Sequence, residues 1–147
     1  MKIDYTVSFS SIQKQQILDK YGLDGGRTQK VIDEAFKSFM VHYMPMDTGV
    51  MIANTIIPST GGEIDVNVPY AHYHHEGELY VDPITHKGAF YNKNEGRFWS
   101  RPNVEKIPSG KRLNYHGGSL RGDHFAERML ADHFEDILNA GQKEIDK

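Results

Sequence analysis

Apolar and polar positions alternate at the start of the chain, where Ile3, Tyr5, Val7 and Phe9 are interleaved with Asp4, Thr6 and Ser8. A period of two places the four apolar side chains on one face of a short strand. Ser10 followed by Gln13 then has the spacing of a capping box, and Ile12, Ile17, Leu18 and Tyr21 form a loose helical stripe that ends at Gly22. After Asp24-Gly25-Gly26 the period is clearer. Val31, Ile32, Ala35, Phe36, Phe39, Met40 and Tyr43 fall on one helical face opposite Lys30, Asp33, Glu34 and Lys37. Pro45 stops this helix, because the residue before a proline is pushed out of the helical region.

The apolar run Val50 to Ile57, the turn-forming Pro58-Ser59-Thr60-Gly61-Gly62, and the alternation of Ile64, Val66 and Val68 with polar neighbours predict a strand-turn-strand hairpin. Its first arm has room to begin as helix. From Glu78 to Tyr115 no helical period is present, and Gly and Pro recur. A structureless loop of that length is improbable in a compact domain, so strands are expected within it, around Phe90-Tyr91 and Phe98-Trp99 with a turn over residues 92–96. Asp123 is the expected N-cap of a last amphipathic helix carrying Phe125, Met129, Leu130, His133, Phe134, Ile137 and Leu138, with fraying expected after Gly141. The pattern as a whole predicts an α+β fold over residues 1–147 as one domain. A small, mainly antiparallel sheet is packed by the long second helix and the C-terminal helix, with a long extended excursion over residues 78–115.

Composition narrows the chemistry. The chain has 147 residues, a formal charge of −3 and no cysteine. That excludes disulfides, thiolate nucleophiles and thiolate-ligated zinc. No apolar run reaches the roughly 18 to 20 residues of a membrane span, and the charged, alternating N-terminus is unlike a signal peptide, so no membrane association or secretion is expected. Eight histidines leave an imidazole and carboxylate metal site open. His72-x-His74-x-x-x-Glu78 has the spacing at which cupins ligate a divalent metal. The rest of that pattern fails, since Val66 stands where a glycine belongs and Leu113 where a further histidine belongs. The plainer reading makes these histidines half-exposed polar residues on a segment anchored by Tyr70, Ala71 and Tyr73.

Neither Gly118-Ser119-Leu120 nor Pro108-Ser109-Gly110 has the surroundings of a nucleophile elbow, and neither Gly25-Gly26 nor Gly61-Gly62 is followed by the Lys-Ser/Thr of a phosphate loop. Asp132 and Asp136 lie on the outer face of the last helix, where solvated carboxylates are usual. No catalytic residue and no cofactor are expected. Charge is uneven, however. Between Arg97 and Arg121 six basic residues (Arg97, Arg101, Lys106, Lys111, Arg112 and Arg121) face Glu105 alone, a local +5, whereas seven acids against three bases give −4 from Asp123 to Lys147. Phe98, Trp99 and Tyr115 are interleaved with the basic residues, as in single-strand nucleic-acid binders. The run is also suited to docking on a neighbouring subunit's acidic helix. Given the negative total, only weak, nonspecific DNA affinity is expected.

Several segments together resemble a known family. Tyr43-Met44-Pro45-Met46-Asp47-Thr48-Gly49-Val50-Met51, then Gly61-Gly62-Glu63-Ile64, then Pro69-Tyr70-Ala71-His72-Tyr73-His74-His75-Glu76-Gly77, and later Leu113-Asn114-Tyr115 and the helix entry from Gly122 to His133, are similar in order and context to the minor capsid proteins of tailed phages and prophages of Gram-positive bacteria. That family is related to head-tail connector and tail-completion proteins. The histidine-rich His72 to His75 departs from its usual pattern. The motif residues also have a physical reading: Pro45 ends a helix, Asp47 and Thr48 can cap the next segment, and Gly49 and Gly77 permit turns. The resemblance implies a non-enzymatic structural protein of the virion neck, present in the bacterial cytoplasm during assembly. It would form a ring with copies of itself, contact adjacent connector and tail proteins, and meet DNA only as passing cargo. Phe90, Tyr91, Arg97, Phe98, Trp99 and Arg101 are the expected interface residues, because large aromatics and arginine dominate interface energetics. The alternative is a small metal-binding protein or metal-dependent enzyme using His72, His74 and Glu78.

Overall fold

A computed structural model describes residues 1–3 and 10–147. All of the expected first strand after Ile3, residues 4–9, lies outside the described residues. The elements are α1 (Ser11–Tyr21), α2 (Arg27–Met40), α3 (Val50–Ala53), β1 (Thr55–Ile56), β2 (Asp65–Val66), α4 (Ala71–Glu76), β3 (Glu78–Val81), β4 (Phe90–Asn92), β5 (Arg97–Trp99), β6 (Ile107–Arg112) and α5 (Phe125–Ile145). The fold is α+β. Among the described residues its β structure is divided into three separate antiparallel ribbons, β1 with β2, β3 with β6 and β4 with β5, where the sequence suggested one sheet.

The body is built on α2 against α5. Met40, Tyr43, Met44, Met51, Phe125, Met129 and Ile137 form one buried cluster, with Ile32, Phe36, Phe39 and Leu130 packed against it. Met44 and Met129 are fully buried, each worth about 1.5–3 kcal/mol relative to exposure. His133 of α5 stacks on Phe39 of α2 with ring centroids 4.2 Å apart. The expected fraying at Gly141 does not occur. Gly141 is buried, and a side chain there would meet Ile32 at 3.0 Å, so the glycine is what lets α2 approach and the helix runs on to Ile145. Phe134 and Leu138, assigned by periodicity to the apolar stripe, sit on its flank and are about half exposed.

Polar side chains fasten the connections to this body. Asp33, buried on α2, accepts from Gln29 Nε2 and from the Gly62 backbone N–H, both at 2.9 Å, which fixes the turn between β1 and β2. Arg121 Nη1 donates to the carbonyls of Val41 (2.9 Å) and Met44 (2.6 Å), and the Gly122 N–H donates to Tyr43 O at 3.1 Å. These donors satisfy the free carbonyls at the end of α2. Tyr43 Oη donates to Asp132 at 2.7 Å, and this bond, with burial, raises the phenol's pKa.

Two cap assignments are corrected. The helix after the Asp-Thr-Gly element is capped by Gly49 in the left-handed region, with no side-chain cap from Asp47 or Thr48. The N-cap of α5 is His124 rather than Asp123, whose carboxylate pairs instead with Arg112. By contrast the Ser10–Gln13 capping box that opens α1 and the left-handed Gly22 that ends it are as expected.

Candidate functional site

β4 and β5 form a hairpin within the excursion, pairing Phe90 with Trp99, Tyr91 with Phe98 and Asn92 with Arg97. Alternation along each strand puts Phe90, Asn92, Arg97 and Trp99 on one face and Tyr91 and Phe98 on the other. Both faces are therefore aromatic. Phe90 stacks on Trp99 with centroids 5.1 Å apart, and Tyr91 packs on Phe98 at the same distance. Phe98 is 70% exposed, Tyr91 55% and Trp99 47%. The ribbon pairs with no other described strand, and none of these rings belongs to the core cluster. A two-stranded ribbon is marginally stable alone, and clustered exposed apolar surface marks an interaction site.

The hairpin is held at its base. Asp82, buried just after β3, accepts from the N–H groups of Ile84 (2.8 Å) and Thr85 (3.0 Å) and from Arg101 through Nε (2.6 Å) and Nη2 (2.8 Å). The guanidinium, aided by the two N–H groups against the effect of burial, holds the Asp82 carboxyl well below the usual carboxylate range. Arg101 was expected beside the aromatics as a contact. Its guanidinium is engaged with Asp82, which ties the end of the ribbon to the segment after β3. Lys106 donates to the Gly88 carbonyl in the segment that leads into β4.

The basic run is not a free cationic face. Arg97 pairs with Glu95, Arg101 with Asp82, and Arg112 with Asp123, while Lys106 and Arg121 are bound to carbonyls. Part of the charge complementarity between the excursion and the acidic last helix is thus satisfied inside one chain. Nonspecific phosphate binding needs uncompensated Lys and Arg, and few remain.

His72 and His74 lie on the short helix α4, two positions and about 200° apart, so they diverge. His72 and His75 border a cavity of about 460 Å³ walled by α2, β2 and α5, whereas His74 faces a second cavity. Glu78 accepts from the Gly110 N–H at 3.0 Å. His75 Nε2 lies 2.8 Å from Glu127, and its carbonyl accepts from His124 N–H at 2.7 Å. Among the described residues, no three His, Asp or Glu side chains are placed to hold one ion.

The second cavity, about 390 Å³, was not visible in the sequence. Pro45 to Met51, then Tyr70 and His74, then Asn114 to His116 converge to line it, so three of the segments that carry the resemblance meet at one place. His74 sits between the rings of Tyr70 and Tyr115, and Tyr115 Oη donates to the His74 carbonyl at 2.7 Å. Burial lowers the His74 pKa and raises that of Tyr115. His74 Nδ1 is buried without a hydrogen-bond partner. The one sequence signal pointing here is the order of the motifs, whose residues by themselves suggest only turns. Comparison of the chain with protein-family profiles, with curated proteins and with solved structures finds no match.

Proposed function

We propose that the chain is a structural component of the neck of a tailed phage or prophage, acting by assembly into a ring in which the β4–β5 hairpin of each copy seats on the next. The observation that carries this reading is the hairpin itself, aromatic on both faces, exposed, and fixed at its base by Arg101 and Asp82. The order of the motif segments supports the virion neck as the place, with connector and tail proteins as further neighbours. A head-to-tail contact of this kind closes into a ring at one rotation per subunit. Assembly takes place in the bacterial cytoplasm.

Native mass measurement over a concentration series reaching about 1 mM, where even weak association shows, tests the reading. Wild-type protein is expected to give a closed ring. Trp99→Ala is expected to stay monomeric, with the monomer still folded because Trp99 is half exposed and outside the core cluster. Absence of any species larger than a dimer, or a ring unaffected by Trp99→Ala, refutes the proposal.

A further inference from the structure

We infer that the cavity lined by the Asp47, His74 and Asn114 segments is the seat for the Arg97 and Trp99 face of a second copy's hairpin. The inference rests on the ring reading and names its receptor. The acidic helix α5 is the obvious rival by charge alone. Four of its five carboxylates are already engaged, however: Glu127 with His75, Asp132 with Tyr43, Asp136 with His133, and Glu144 with Arg27 and Lys147, which leaves Glu135 as the rival carboxylate on this helix. Asp47 is also exposed, makes no hydrogen bond or ion pair among the described residues, and stands at a cavity with apolar lining.

The two surfaces match in chemistry. Arg97 and Trp99 project from one face of β5, about 7 Å apart along the strand. The cavity is lined by both Asp47 and Met46, with Val50, Met51 and Pro45 as apolar wall. Sulfur against an aromatic ring and carboxylate against guanidinium are both favourable pairings. Arg97 gives up only an exposed local partner, Glu95, in making the new one.

Reversal of the pair is the test, and the chain's single tryptophan is Trp99, so its emission reports the seat directly. Wild-type protein should shift its emission to the blue as it associates. Asp47→Arg and Arg97→Glu should each weaken association by about tenfold or more, which corresponds to 1.4 kcal/mol or more, and lose the shift. Both positions are exposed, and circular dichroism of each monomer should be unchanged. The double variant should regain association and the blue shift together. If Asp47→Arg assembles as wild type while Glu135→Arg on α5 does not, the helix is the receptor: the inference fails and the ring reading stands. If wild-type protein remains monomeric throughout, both fail. If the single variants weaken association but the double variant does not recover, Asp47 and Arg97 are not partners and the inference is overturned.

Discussion

Gly49 and Gly77 sit in equivalent backbone conformations, with φ of +82° and +77°, yet substitution by alanine should cost very different amounts. A side chain in the left-handed region costs about 1–2 kcal/mol by itself. At Gly49 an added Cβ meets nothing within 4 Å, so Gly49→Ala should cost that amount and no more. At Gly77 the same atom lies 2.7 Å from both Cβ and Oδ2 of Asp123 and 2.9 Å from Nη2 of Arg112. The methyl would push apart the ion pair that joins β6 to the entry of α5, adding the roughly 1–3 kcal/mol typical of overpacking. Gly77→Ala should therefore cost about 2–5 kcal/mol in total. With a urea slope of about 2 kcal/mol/M, the midpoint should fall by about 0.5–1 M for Gly49→Ala and by about 1–2.5 M for Gly77→Ala. Equilibrium urea unfolding of the three proteins, followed by far-UV circular dichroism, measures this. Equal losses at the two sites, or a loss under 1 M at Gly77, would show that the packing around Asp123 and Arg112 is not what this geometry implies.

Two further outcomes are expected from groups beside the cavity and at the hairpin base. His74 is held below its ordinary pKa by burial, so its contribution to stability is complete above about pH 6.5, the unfolded value, and is lost as pH falls through the folded one. The wild-type urea midpoint should thus drop more between pH 7 and pH 5 than that of His74→Phe, and parallel curves would refute the assignment. Arg101→Lys should not replace Arg101, because one ammonium cannot make both bonds to Asp82; hydrogen exchange of β4 and β5 should be faster in the variant while that of α5 is unchanged.

What the sequence revealed depended on whether the cause of each feature was local. The helical stripe of α2 was stopped near Pro45, the Ser10–Gln13 box opened α1, and the aromatic hairpin was legible, its turn expected over residues 92–96 and found over 93–96 because Asn92 still pairs with Arg97, each from neighbours within a few positions. The ladder between β3 and β6 was not legible. It joins Glu78 to Arg112 with an irregular register, and neither strand shows a clean alternation. The segment Ala71–Glu76 has too few residues to display a helical period, which left its histidines open to a metal reading that the helix geometry separates. The cavity escaped notice for the same reason as β3 and β6, since its wall is assembled from three segments far apart in the chain. Arg101 was identified as important from its company. Its partner Asp82, 19 positions away, could be seen only in three dimensions.

The bracket that Arg121 and Gly122 place on the end of α2 has a consequence for how the protein is made. Those bonds span 80 and 77 positions, and the Tyr43–Asp132 bond spans 89. During translation α2 leaves the ribosome long before the groups that complete its last turn and cover its apolar face. Closing a loop of that size costs about 2 kcal/mol more chain entropy than closing one of about ten residues, three doublings at about 0.6 kcal/mol each. The body therefore forms late, in one long-range closure. β4 and β5, separated only by residues 93–96, pair on a timescale of about microseconds, so the nascent chain can make the hairpin before it makes the body that presents it.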